Sequence, residues 1–251
     1  MEISILDFPK VILKYISSFL DLDSLISFSS INKSLRALFS EINGLYTFLN
    51  RSGFVRKFKH NKNYSLKQVL MQKNFSILRD HNQSTPLHLI CKTDQTISPK
   101  IFKFLIENKC DINLKDNNEN TPLHYLCLNS NISIEILETF VENKIDFNSK
   151  NRFQNSPLHL YLQNKSLSPQ IVHYLVENKS DLNLVNNEKS IPLHSACLNP
   201  SISLQIIKYL IDSNSQINFL NRNLNSSLYF ACENENISFE IINFLSQLIF
   251  F

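Results

Sequence analysis

The tetrapeptide Thr85-Pro86-Leu87-His88 returns as Thr121-Pro122-Leu123-His124, Ser156-Pro157-Leu158-His159 and Ile191-Pro192-Leu193-His194, with a degraded copy at Ser226-Ser227-Leu228-Tyr229. The steps are 36, 35, 35 and 35 residues, a register that chance does not produce. Self-similarity at this period signals an architecture in which one supersecondary unit recurs and only stacking buries its apolar face. The rest of each unit repeats as well. A serine recurs at Ser98, Ser133, Ser168, Ser203 and Ser238, followed by apolar positions at helical spacing such as Ile134, Leu137, Phe140 and Val141. That pattern predicts an amphipathic helix with serine as its N-cap. Pro99 and Pro169 fall at the first helical position, where a missing N–H removes no hydrogen bond.

Each helix is followed by an exit segment: Asp111-Ile112-Asn113, Asp146-Phe147-Asn148, Asp181-Leu182-Asn183 and Gln216-Ile217-Asn218. Polar tips such as Asp116-Asn117-Asn118-Glu119-Asn120 then lead into the next copy of the tetrapeptide. These are turn residues. The predicted unit is therefore a short helix, a loop, a longer helix and an extended polar finger, and the fold class is mainly α. It resembles the ankyrin repeat, whose Thr-Pro-Leu-His opening and Asp-Ile-Asn exit are matched here. The resemblance covers about residues 80–251 and implies a solenoid of five repeats starting near 85, 121, 156, 191 and 226. It also implies that His88, His124, His159 and His194 are structural, hydrogen-bonding across neighbouring fingers, with the Thr or Ser three places earlier closing the turn.

The chain departs from that family at two kinds of position. The unit is slightly longer, with the extra residues between the helices, as in Asn129-Ser130-Asn131-Ile132. The family's glycines are replaced after the second helix by Lys109, Lys144, Lys179 and Asn214, which predicts positive φ at non-glycine residues. Residues 65–80, with Tyr64-Ser65-Leu66 and Val69-Leu70, echo the capped second helix and read as a half repeat that caps the stack. At the other end, Leu245-Ser246-Gln247-Leu248-Ile249-Phe250-Phe251 is apolar. A partner, a second copy or a fold-back could cover it, or it could complete the last helix.

The first 45 residues do not follow the period. Asp7-Phe8-Pro9 precedes Val11, Ile12, Tyr15, Ile16, Phe19 and Leu20; Asp21-Leu22-Asp23-Ser24 interrupts; Leu25, Ile26, Phe28 and the run Ile31-Asn32-Lys33-Ser34-Leu35-Arg36 follow. Helical spacing with these breaks predicts three short helices. So short a segment cannot bury that many large side chains by itself, and an exposed apolar patch marks a partner site. The pattern resembles an F-box, although the family start is usually Leu-Pro and the tryptophan common near Leu35 is absent. By that resemblance the segment docks the Skp-type adaptor of cullin–RING ubiquitin ligases through Phe8, Pro9, Ile12, Ile16, Leu20, Leu25, Ile31 and Leu35. The competing reading is a helical cap packed on the solenoid, which would make the chain an ankyrin-repeat scaffold or decoy with no ligase link.

Charge divides the chain in the same way. The net charge of the whole is +3, but residues 46–84 hold eight basic side chains against Asp80 alone. We therefore expect an F-box-like domain at 1–45, a basic connector with the capping half repeat at 46–84, and repeats at 85–251. The basic stretch at 51–62 reads as a solvated connector, so nucleic-acid binding is not expected. With 43% hydrophobic residues the chain can build a core, and no apolar run of about 18 residues predicts a membrane span. The start Met1-Glu2-Ile3-Ser4 lacks a basic lead-in, so an intracellular protein, cytoplasmic or nuclear, is expected.

Only two glycines are present, which removes every glycine-rich phosphate loop and its nucleotide cofactors. A catalytic residue is needed once, whereas these histidines recur in four of the five units, so no enzyme is expected. Cys91, Cys127, Cys197 and Cys232 each lie three residues after the motif His or Tyr, with Leu162 in the same place of the third unit. They read as small core residues rather than metal ligands, with Cys110 half-exposed at a helix end. No cofactor or metal is expected. The candidates for target binding are exposed positions that differ between units: Asn117, Asn118, Arg152, Phe153, Asn187, Glu188, Arg222 and Leu224 at the finger tips. To these are added the first-helix ends at Lys92, Leu128, Gln163, Leu198 and Glu233.

Overall fold

A computed structural model describes residues 79–93 and 99–249. The F-box-like residues, the basic stretch, the half-repeat cap up to residue 78, Ser98 and Phe250-Phe251 lie outside the described residues. Helices pair off along the chain. The first helix of each pair is α1 (Pro86–Cys91), α3 (Pro122–Leu128), α5 (Pro157–Leu162), α7 (Pro192–Leu198) and α9 (Ser227–Glu233). The second is α2 (Pro99–Glu107), α4 (Ile134–Glu142), α6 (Pro169–Glu177), α8 (Leu204–Asp212) and α10 (Phe239–Ile249). First helices pack on one another in sequence, from α1 through α9. Second helices form the other layer, with α2 on α4, α6 on α8 and α8 on α10. Among the described residues there is no strand.

The core sits between the layers. Leu87, Leu123, Leu158 and Leu193, the third residue of the first four tetrapeptides, are all fully buried, as are Leu105, Leu137, Leu175 and Leu210 of the second helices. Phe102 and Phe140 meet across α2 and α4 with ring centroids 5.5 Å apart. The apolar residue of the first three exit segments, Ile112, Phe147 and Leu182, is also buried, while Ile217 of the fourth is half-buried.

Local chemistry sets the helix ends. Ser133 and Ser203 accept from the N–H of Ile136 and Ile206, as N-caps do. Ser168 does not: its hydroxyl donates to the Gln170 side chain at 2.7 Å. Pro169 already supplies the helical φ at that start, so the missing cap is tolerated. At the other end, Lys109, Lys144, Lys179 and Asn214 have φ of 63°, 57°, 70° and 72°, as their replacement of glycine predicts. The cause is visible in the hydrogen bonds. Ile145 donates to Phe140 and Lys144 to Val141; Ser180 donates to Leu175 and Lys179 to Val176. This pair of bonds is the Schellman ending, and it requires a left-handed residue.

Two expectations about cysteine are corrected, the first by this ending. Cys110 is 2% exposed rather than half-exposed, because it follows the left-handed Lys109 at the position that turns back onto its helix, donating to Leu105. Cys232, expected in the core with Cys91, Cys127 and Cys197, is exposed. Among the described residues no first helix stacks on the far side of α9, so the cover that buries the earlier thiols is missing there. Burial pushes the Cys110 thiol up to about 11 and Cys197 to about 12, which keeps both protonated at neutral pH.

Candidate recognition surface

The fingers are built by one acidic or amide side chain each. Asp80, Asp116, Asn151, Asn186 and Asn221 turn an Oδ1 back onto two N–H groups of their own loop, two and four residues ahead. That bond pattern closes a tight turn without a strand. The turn ends on a left-handed residue: Gln83, Glu119, Gln154, Lys189 and Leu224 all have φ between 54° and 61°. The sequence reading missed these five. The signal is the second residue before each tetrapeptide, where no β-branched residue ever occurs.

Adjacent fingers are joined by backbone. Asn117 N–H donates to Asn82 carbonyl, Arg152 to Asn118, Asn187 to Phe153 and Arg222 to Glu188, at 2.8–3.0 Å. The tips therefore lie side by side in register. Basic side chains reinforce the row. The Lys115 ammonium donates to the Lys150 carbonyl at 2.7 Å and the Lys150 ammonium to the Val185 carbonyl at 2.8 Å. The Arg79 guanidinium lies 3.4 Å from the Lys115 carbonyl.

Behind the tips, each histidine locks its finger to the next unit. The Thr85 N–H donates to His88 Nδ1 at 3.1 Å, so the ring hydrogen sits on Nε2 and donates to the Asn120 carbonyl at 2.9 Å. His124 and His159 repeat this to the Asn155 and Ser190 carbonyls at 3.1 and 3.0 Å. In the fourth unit Ile191 offers no hydroxyl, yet its N–H still reaches His194 Nδ1, and Nε2 donates to the Phe219 carbonyl. Burial drives the pKa of His124 and His159 down to about 4, and that of His88 and His194 below the usual imidazole value. Neutral rings with both nitrogens engaged are fasteners, which is what their recurrence implies.

Two further rows of asparagine bind unit to unit, and the sequence reading missed both. Between the helices, Asn129 Nδ2 donates to the Cys91 carbonyl, Asn164 to Cys127 and Asn129, Asn199 to Leu162 and Asn164, and Asn234 to Cys197. Their Oδ1 atoms accept from the N–H two residues on. The extra residues between the helices thus form an inter-repeat zipper. In the exit segments, Asn113, Asn148 and Asn183 donate to the carbonyls of Lys144, Lys179 and Asn214 and accept from Asp146, Asp181 and Gln216. The readable signal was an identical amide every 35 residues.

All eight tip candidates, Asn117, Asn118, Arg152, Phe153, Asn187, Glu188, Arg222 and Leu224, are exposed, and the stacked fingers bring them along one edge. Phe153 is 63% and Leu224 77% exposed, so neither ring nor isobutyl group folds back onto a neighbour. Of the first-helix ends, Lys92, Leu128, Gln163, Leu198 and Glu233 are exposed too. Among the described residues no group of three or more His, Cys, Asp or Glu is arranged to hold a metal, and no helix is long and apolar enough to cross a membrane.

A family model of ankyrin repeats (three copies) matches residues 57–151 and 158–248. The chain belongs to the ankyrin-repeat family. An F-box domain model matches residues 5–44. No curated protein matches the chain. An F-box joined to an ankyrin-repeat solenoid is the make-up of a protein-interaction adaptor. The unit interfaces described above are this ankyrin-repeat protein's framework, and the varied tips are the surface the framework presents.

Proposed function

We propose that this chain is a substrate receptor of a cullin–RING, SCF-type ubiquitin ligase. Residues 1–45 hold the Skp-type adaptor through Phe8, Pro9, Ile12, Ile16, Leu20, Leu25, Ile31 and Leu35. Residues 46–84 connect and cap, and the repeats of 85–251 hold the protein to be modified against the finger tips. The chain performs no chemistry of its own; it raises the effective concentration of target at its partners' active site. One observation carries this reading: the F-box match at 5–44 stands in the same chain as a solenoid whose framework repeats and whose exposed edge does not.

The test is co-purification of the full chain with a Skp-type adaptor, compared with a Leu20→Asp, Leu25→Asp variant. The wild type should retain the adaptor and the variant should lose it. Equal recovery of both would discard the ligase role and leave a scaffold.

A further inference from the structure

Charge is sorted between the two sides of the solenoid. The fingers carry Arg79, Lys115, Lys150, Arg152, Lys189 and Arg222. Of their four carboxylates, Asp80 and Asp116 are buried, each with Oδ1 taken by two backbone N–H groups, and the second Asp116 oxygen accepts from Tyr125 Oη at 2.6 Å. Only Glu119 and Glu188 remain exposed on that edge. The second helices have the opposite balance, seven carboxylates against three lysines, and α4 holds Glu135, Glu138 and Glu142 with no basic residue; in the exits Asp111, Asp146 and Asp181 are offset by Lys109, Lys144 and Lys179. The cations are also held in line, since Arg79, Lys115 and Lys150 each reach a carbonyl of the next finger.

Apolar groups stand among these cations in a definite order. Arg152 is followed by Phe153 on the third finger, and Arg222 by Leu224 on the fifth, with Glu188 and Lys189 on the finger between. Arginine and exposed aromatics such as Phe153 are enriched at protein interfaces, and Leu224 adds exposed apolar area beside Arg222. We infer that the finger edge takes an acidic polypeptide segment carrying apolar side chains, its carboxylates on Arg152, Lys189 and Arg222 and its apolar groups on Phe153 and Leu224. This rests on reading the tips as the target site and adds the chemistry of what they hold. Nucleic acid is the poorer match. Two carboxylates interrupt the edge, the cations are few and spread over five fingers, and the apolar groups would have no phosphate to meet.

The whole 251-residue chain would be panned against phage-displayed random dodecapeptides, and the enriched peptides synthesised and titrated by fluorescence anisotropy. The enriched pool should be net negative and contain aromatic or aliphatic residues. An Arg152→Glu, Lys189→Glu, Arg222→Glu variant should weaken those peptides by about tenfold or more, because opposed charges across an interface become like charges. These three side chains carry no inter-finger bond, since the backbone does, and a matched urea midpoint would verify the fold. A Lys103→Glu, Lys144→Glu, Lys165→Glu variant makes the same change in net charge away from the edge and should bind within about twofold of wild type. Phe153→Ser with Leu224→Ser should also lose affinity, and Glu188→Gln should gain it.

Enriched peptides that are neutral or basic, no enrichment, equal loss in both charge variants, or tighter binding of a 20-nucleotide oligouridine would overturn the inference. The adaptor experiment fails separately. Adaptor binding with neutral peptides selected sinks only the acidic chemistry, whereas acidic peptides selected without adaptor binding sink only the ligase role.

Discussion

Asn164 and Arg152 do the same job by different means. Each sits where one repeat meets the one before, and each supplies a hydrogen bond across the junction. At Asn164 the donor is the side-chain amide, and the residue recurs unchanged as Asn129, Asn199 and Asn234. At Arg152 the donor is the backbone N–H, and the equivalent positions are Asn117, Asn187 and Arg222; the Asn117 and Asn187 amides add an exposed bond each, to the His81 and Arg152 carbonyls, which the arginines do without. Where the side chain makes the junction, its identity is fixed. Where the main chain makes it, the side chain is free to vary and to face a partner. The framework and the reading edge are thus separated within a single unit by which atoms carry the bond.

That contrast can be tested by substitution on both sides of it. Core truncation should have the largest effect. Leu158→Ala, fully buried, should lower unfolding free energy by ~2–5 kcal/mol, while Phe153→Ala should shift it by less than ~0.5 kcal/mol, both from urea midpoints.

Acid should come next. His124 and His159 have folded pKa values of about 4, below the unfolded value near ~6.5, so the unfolded chain takes up protons first. Their contribution is complete above ~6.5 and is lost as pH falls toward ~4, with a slope approaching ~1.4 kcal/mol per pH unit for each. Urea midpoints at pH 7 and pH 5 should show this fall. His124→Gln with His159→Gln should lower stability at pH 7 but flatten the dependence; an unchanged slope would refute the neutral-fastener assignment.

Asn164→Ala removes an amide that serves two buried carbonyls and one N–H, and should lower unfolding free energy by ~2–3 kcal/mol. Asn187→Ala, at the tip, loses only one exposed bond to the Arg152 carbonyl and should stay within ~0.5 kcal/mol of wild type. A matching loss at both sites would erase the distinction drawn above. The smallest change is a gain: Lys144→Gly and Lys179→Gly relieve positive φ and should each raise stability by ~0.5–1 kcal/mol, seen as a higher midpoint in thermal unfolding.

The solenoid could be read from the sequence because its period is written in residues that packing fixes, such as Leu123 and Leu158. The left-handed Lys144 and Lys179 could be read from the glycines they replace. The asparagine rows could not be separated from ordinary loop composition, because Asn is also the residue of turns, and only its recurrence at 35 residues betrays a bridging role. Cys232 and Ser168 hold repeated positions whose local settings differ: among the described residues no first helix packs beyond α9, and Pro169 follows Ser168. For the recognition edge, exposure of Phe153 and Leu224 was anticipated, whereas the backbone rungs beneath Arg152 and Arg222 were not, since main-chain donors leave no mark on residue identity.

The amide zipper between the helices has a consequence for how such a chain can change. The junctions at Asn129, Asn164 and Asn199 use the same two carbonyl positions, and Asn234 keeps the first of them, so a unit does not recognise which copy stands beside it. Excising residues 157–191 would place Asn199 against the carbonyls that Asn164 now meets, leaving a shorter protein with the same joints. Lengthening and shortening by whole teeth, without redesigning any single contact, is open to a molecule fastened this way, and each such event would respace the side chains along its reading edge.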